Sequence, residues 1–206
     1  KQKAAGASLD DPGVRNSLAA DAVAAMKKTR PSPLFSADRL GLIETGNFED
    51  DLARIKDADW VIEVVKEDMK IKKIVLENAA PHIGPEAILS SNTSGLSLAE
   101  MAGVLPDDLK PRFLGTHFFN PPRYMKLFEL IPTADTAAEI TGFVADLARR
   151  RLGKGIVMAK DTPNFIANRV GVHAMMATVQ VMNEMGLSIE DIDAMTGPAI
   201  GRPKTA

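Results

Sequence analysis

The residues best suited to chemistry cluster in one stretch, 90–120, which reads SSNTSGLSLAEMAGVLPDDLKPRFLGTHFFN. One apolar run there ends on Thr116 and His117, and an earlier one ends on the hydroxyl-rich cluster Ser90, Ser91, Asn92, Thr93 and Ser94. Imidazole is the side chain whose ordinary pKa lets it take up and return a proton near neutral pH. Glu129 lies twelve residues beyond His117, past an Asn120-Pro-Pro turn that would let residues 126–131 return beside the first run. A carboxylate paired with an imidazole fixes its orientation and raises its basicity, as a general base requires.

Each of these residues also has a plainer reading. His117 could be a packed, hydrogen-bonded core residue, and Glu129 a strand-end charge facing solvent. Against the latter, Glu129 is apolar-flanked in LFELI, and an unpaired buried carboxylate is costly. The hydroxyl cluster could cap the following helix or bind a ligand oxygen at a strand's carboxyl end. Glu67 and Lys72 fall in the first turns of a helix, five residues apart, which is not the spacing of a helical ion pair. Glu67 is either a partner of the helix dipole or a group at the mouth of a sheet, since it follows WVIEVV. Asn168 is one polar residue near the start of a long apolar helix, where it either satisfies a backbone group or points into a cleft. His82 and His173 read as structural or surface residues. With no cysteine and no carboxylate–histidine cluster at metal spacing, no metal site is expected.

The elements that must position these groups alternate. Strand patterns occur at 57–65, 87–91, 112–117, 126–131 and 155–159, and a shorter one is expected at 40–45. Helical periodicity marks 14–28, 48–55, 68–80, 96–102 and 136–151. Alternation of this kind predicts an α/β fold with helices on the faces of a largely parallel, doubly wound sheet. Residues 162–185 form a helix that is apolar over most of its circumference, so it is expected to be buried or paired with another subunit. Gly186 ends it, and a further helix at 188–194 opens on a serine cap. A boundary near 160 divides a nucleotide-binding domain, 1–160, from the start of a helical domain, 161–206. Residues 1–12 read as a loop.

The 206 residues are 45% apolar and 25% charged, with a net charge of −2, which argues against a nucleic-acid binder acting by general electrostatics. No run has the length of a membrane span, and the first residues do not form a signal peptide. A chain without cysteine suits the cytoplasm.

Three separated motifs, SSNTS, GTHFFNPPRYMKLFE and KDTPNFIANR, resemble those of the L-3-hydroxyacyl-CoA dehydrogenases of fatty-acid β-oxidation, over residues 35–197. The run PSPLF followed by GNFEDDLARIKDADWVIEVV looks most like the large bacterial members. The resemblance implies a Rossmann-type domain, NAD as cofactor and acyl-CoA as substrate. It also implies a possible homodimer through the C-terminal helices, or fusion to a hydratase/isomerase domain. By position, it assigns His117 as the catalytic base and Glu129 as its partner, and places Ser94 near the substrate oxygen and nicotinamide. Asn168 becomes the active-site amide, and Glu67, Lys72 and Asn120 become NAD contacts; Ser90 and Ser91 receive no role. The family's GxGxxG turn, which holds the pyrophosphate at a helix N-terminus, does not occur in this sequence, nor does the ribose-binding acid after the second strand. The chain is therefore expected to be a fragment that lacks the Gly-rich β-α-β and binds NAD weakly by itself. Two other readings stay open: a non-catalytic acyl-CoA or nucleotide-binding module, and a dehydrogenase of a hydroxy acid without CoA.

Overall fold

The computed structural model describes residues 8 and 11–201; the loop expected at 1–12 lies almost wholly outside them. The chain divides between Thr162 and Pro163 into two compact units.

The first unit is built on a five-stranded sheet in sequence order: β1 (Trp60–Glu63), β2 (Ile88–Ser91), β3 (Phe113–Phe118), β4 (Leu127–Pro132) and β5 (Gly155–Met158). β1, β2 and β3 run parallel, β4 is antiparallel to β3, and β5 is parallel to β4. Among the described residues this unit also contains four α-helices: α1 (Pro12–Ala25), α2 (Met69–Ala79), α3 (Leu98–Ala102) and α4 (Ala138–Arg151). This is a partial Rossmann-type α/β arrangement. β1 to β3 end at the same edge of the sheet, which brings 64–67, 92–94 and His117 to one side.

Pleat parity sorts the side chains. Successive strand residues point to opposite faces, and register then carries each face across the sheet. Ile88, Leu114, Phe128 and Leu130 fall on one face and pack with Val144 and Ala148 of α4 into a buried cluster. Glu63, Ser91, Gly115, His117 and Glu129 fall on the other, the face covered by α3. Gly115 lets α3 approach: a Cβ at this position would overlap Leu98 Cδ1 and stand 3.1 Å from Ile131 Cβ.

The strand expected at 40–45 does not form. Residues Ala37–Leu42 are a 3-10 turn whose hydrogen bonds close locally, as in Ile43 N–H to Leu40 O at 3.0 Å, and the sheet offers them no neighbouring strand. The expected helix at 48–55 is likewise a 3-10 segment, Leu52–Asp57.

The second unit contains α5 (Ala167–Met185) and α6 (Ile189–Thr196). Gly186 ends α5 with φ of 64°, a left-handed conformation that glycine adopts without strain. Ser188 and Asp191 form a reciprocal capping box at the start of α6. No residue of α5 is buried; Val170, Met175, Met176 and Met185 are more than half exposed.

Candidate active site

His117 and Glu129 are directly opposed residues of the antiparallel pair β3 and β4. Cross-strand partners on one face bring their Cβ atoms within about 5 Å, close enough for the side chains to join. His117 Nδ1 lies 2.8 Å from Glu129 Oε2, and both residues are almost fully buried. A carboxylate only accepts, so with Glu129 ionised Nδ1 carries the proton and Nε2 keeps its lone pair. The Phe119 ring stands 4.4 Å from the imidazole, centroid to centroid.

A second cluster lies on the same face at the ends of β1 and β2. Glu63 is buried, and both its oxygens accept from Lys72 Nζ, at 2.9 and 3.1 Å. Ser91 Oγ also donates to Glu63 at 2.5 Å. Lys72 reaches further to Glu67 Oε2, 3.2 Å away, and to the carbonyl of Val65. Glu67 Oε1 accepts from Thr93 Oγ1 at 2.6 Å and from the Ser94 backbone N–H at 2.7 Å. Burial alone would raise the Glu67 carboxyl, but the hydrogen bonds from Thr93 and Ser94 and the Lys72 ammonium outweigh it and hold the pKa below its ordinary value. Asn92 links the two clusters: its Oδ1 accepts from the Phe118 N–H at 2.9 Å, one residue past His117.

Three readings open to the sequence are decided here. Glu67 and Lys72 do form an ion pair, because Glu67 precedes α2 rather than lying in it and helical spacing does not govern the contact. Glu67 is not the helix-end carboxylate either; Asp68 is the N-cap of α2, accepting from Lys70 and Ile71. Nor does the 90–94 cluster cap α3. Ser97 does, and Asp161 accepts from the N–H groups of Leu98 and Ala99. Ser90 is held on the opposite face, accepting from Trp60 Nε1 and Thr116 Oγ1.

Of the expected site residues, the first unit brings His117 and Glu129 into contact and places Glu67, Lys72 and Ser94 in one network. Asn120, exposed, follows His117 in the turn to β4. Asn168 is the second residue of α5, in the other unit. Glu63, Asn92 and Asp161 were not singled out in the sequence. Glu63 could have been: it is the one acid inside the apolar run WVIEVV, and it needed a buried partner.

An exposed hydroxyl, amide and carboxylate (Ser94, Asn120 and Glu67) at the carboxyl ends of the strands fit the polar nicotinamide–ribose half of NAD. Lys72 does not fit an exposed contact, since it is 1% accessible and committed to two carboxylates. Within these 206 residues no GxGxxG turn cradles a pyrophosphate.

A family model described as "3-hydroxyacyl-CoA dehydrogenase, NAD binding domain" matches residues 13–162. A probable 3-hydroxyacyl-CoA dehydrogenase of Bacillus subtilis is 47% identical over 201 residues, covering 98% of this chain and 26% of that protein. A putative fatty acid oxidation complex trifunctional enzyme of Rickettsia felis is 39% identical, over 95% of this chain and 27% of its own length. The chain thus spans about a quarter of these two relatives. Among solved structures, an (S)-3-hydroxybutyryl-CoA dehydrogenase from Ralstonia eutropha superposes with a TM-score of 0.67 at 30% identity, covering 86% of this chain and 61% of that one.

Proposed function

The chain belongs to the 3-hydroxyacyl-CoA dehydrogenase family, and from that premise we propose that the protein containing it oxidises a (3S)-3-hydroxyacyl-CoA to the 3-oxoacyl-CoA in fatty-acid β-oxidation. The observation that carries the reading is the buried His117–Glu129 contact of 2.8 Å. His117 Nε2 takes the proton of the substrate's 3-hydroxyl, and a C=O double bond forms as hydride leaves the same carbon. NAD, when bound, supplies the hydride acceptor. Glu129 holds the imidazole in the tautomer that leaves Nε2 unprotonated, then stabilises the imidazolium that results. Ser94 and Asn168 are assigned to the substrate oxygens, where orientation is the main contribution. Glu67 and Asn120 are assigned to the cofactor, with Lys72 as a strut beneath Glu67 rather than a surface contact.

The second unit is read as the start of the helical substrate and dimerisation domain, with the apolar side chains of α5 covered in the complete protein by a second subunit or by further chain. Fusion to a hydratase/isomerase is supported by the Rickettsia relative, which is named trifunctional. A cytoplasmic location belongs to the same reading. Among the described residues no helix is long and apolar enough to cross a membrane.

The test uses the full-length protein. His117→Ala should lower kcat by about 10²–10⁴-fold and leave the NAD dissociation constant nearly unchanged. Equal loss of turnover and NAD binding would overturn the assignment. Turnover of hydroxy acids without the CoA moiety, at the same kcat/KM, would replace the substrate.

A further inference from the structure

Lys154 is a buried cation outside both clusters. It is 8% exposed, and no carboxylate among the described residues pairs with it. Gly153, with φ of 65°, turns the chain after α4, and the Lys154 N–H then bonds to Ala148 O at 3.0 Å. This aims the side chain under the 119–126 turn that joins β3 to β4. Nζ donates to the carbonyls of Pro122 and of Met125, the latter at 2.7 Å, and lies 5.8 Å from the centre of the Phe118 ring. Next door, Gly155 N–H donates to Lys126 O at 2.8 Å.

A desolvated ammonium held by neutral carbonyls and a ring face is a costly way to fill space. Burial lowers its pKa. What the arrangement achieves is a three-point tie around one turn: the last strand residue before it, its middle and its end. That turn carries Asn120, and its two ends set where β3 and β4 present His117 and Glu129.

We propose that Lys154 is a positioning residue for the dehydrogenase reaction, fixing the 119–126 turn against the end of β3 so that the imidazole–carboxylate pair and Asn120 keep their working geometry. The proposal rests on the reaction assigned above. It acts through other groups, so Lys154 touches neither substrate nor cofactor.

In the full-length protein, Lys154→Met keeps the unbranched apolar stem, one atom shorter, and removes the donors. The expected result is a fall in kcat of about 10- to 100-fold, the scale set by a misplacement on the order of 1 Å, exceeding any rise in KM. The acid limb of the kcat–pH profile should move with it, and Lys154→Arg should recover part of the loss. Hydrogen exchange should quicken in 118–126 and stay unchanged in β1 and β2. Wild-type kcat and an unmoved acid limb in folded K154M would overturn the proposal, whatever the melting temperature does. Unchanged exchange in 118–126 would overturn it too. Where K154M does not fold, Lys154→Gln decides on the same readouts. If the wild-type protein oxidises no 3-hydroxyacyl-CoA, the assigned reaction fails, and the exchange measurement alone decides whether Lys154 anchors the turn.

Discussion

Glu67 shows how a single carboxylate can hold a loop. It is partly exposed, yet it gathers the Thr93 hydroxyl, the Ser94 N–H and the Lys72 ammonium. Its pKa is lower in the folded chain than its ordinary 4.5. The sign follows from linkage: the unfolded chain binds the proton more readily, so the stabilisation is fully present above about 4.5 and is lost as pH falls through the lower folded value. Denaturant titrations from pH 7 downward should therefore show wild type losing stability relative to Glu67→Gln below about pH 4.5; parallel curves would refute this. The His117–Glu129 pair was legible because twelve residues and a proline turn are what a hairpin needs. The Lys72 contacts were not, because a lysine on an amphipathic helix normally faces water, and nothing local marks Glu63 as its partner nine residues back. Only the tertiary fold of α2 over β1 creates that pair.

At the level of elements, the five strands were readable because each is an apolar run bounded by turn chemistry, and their observed limits fall within a few residues of the pattern. The segment 40–45 has the same local look and forms no strand, which shows what pattern alone omits: a strand exists only where a neighbour pairs with it. The approach of α3 to β3 was also invisible, since it depends on which residue lies opposite Gly115. There the fit is tight. Gly115→Ala pushes a methyl group into Leu98 and Ile131, both fully buried, and overpacking of this kind costs about 1–3 kcal/mol. The midpoint of chemical denaturation should fall accordingly, and an unchanged midpoint would mean that α3 can shift. Because α3 follows the Thr93–Ser94 loop directly, the same variant should also loosen that loop's hydrogen exchange.

Across the whole molecule, the two units differ in how they are stabilised. The first has a layered core around Phe113, Phe128 and Leu130, whereas α5 and α6 of the second bury none of their own residues. The long apolar helix was legible as a helix, but what covers it is not written in its periodicity. Antiparallel pairing of β3 with β4 has a consequence for how the protein comes into being. The dyad closes a span of twelve positions, while the Ser91–Glu63 and Thr93–Glu67 contacts close spans of 28 and 26. Hairpins zip in roughly 1–10 μs, and parallel pairings, being less local, form later. Pulse-labelled refolding should protect 113–118 and 127–132 before 60–63; the reverse order would contradict this. The acid–base couple then forms ahead of the Glu63 and Glu67 contacts, and a chain that stalls half-way through assembly would already carry it, long before it could hold anything to react with.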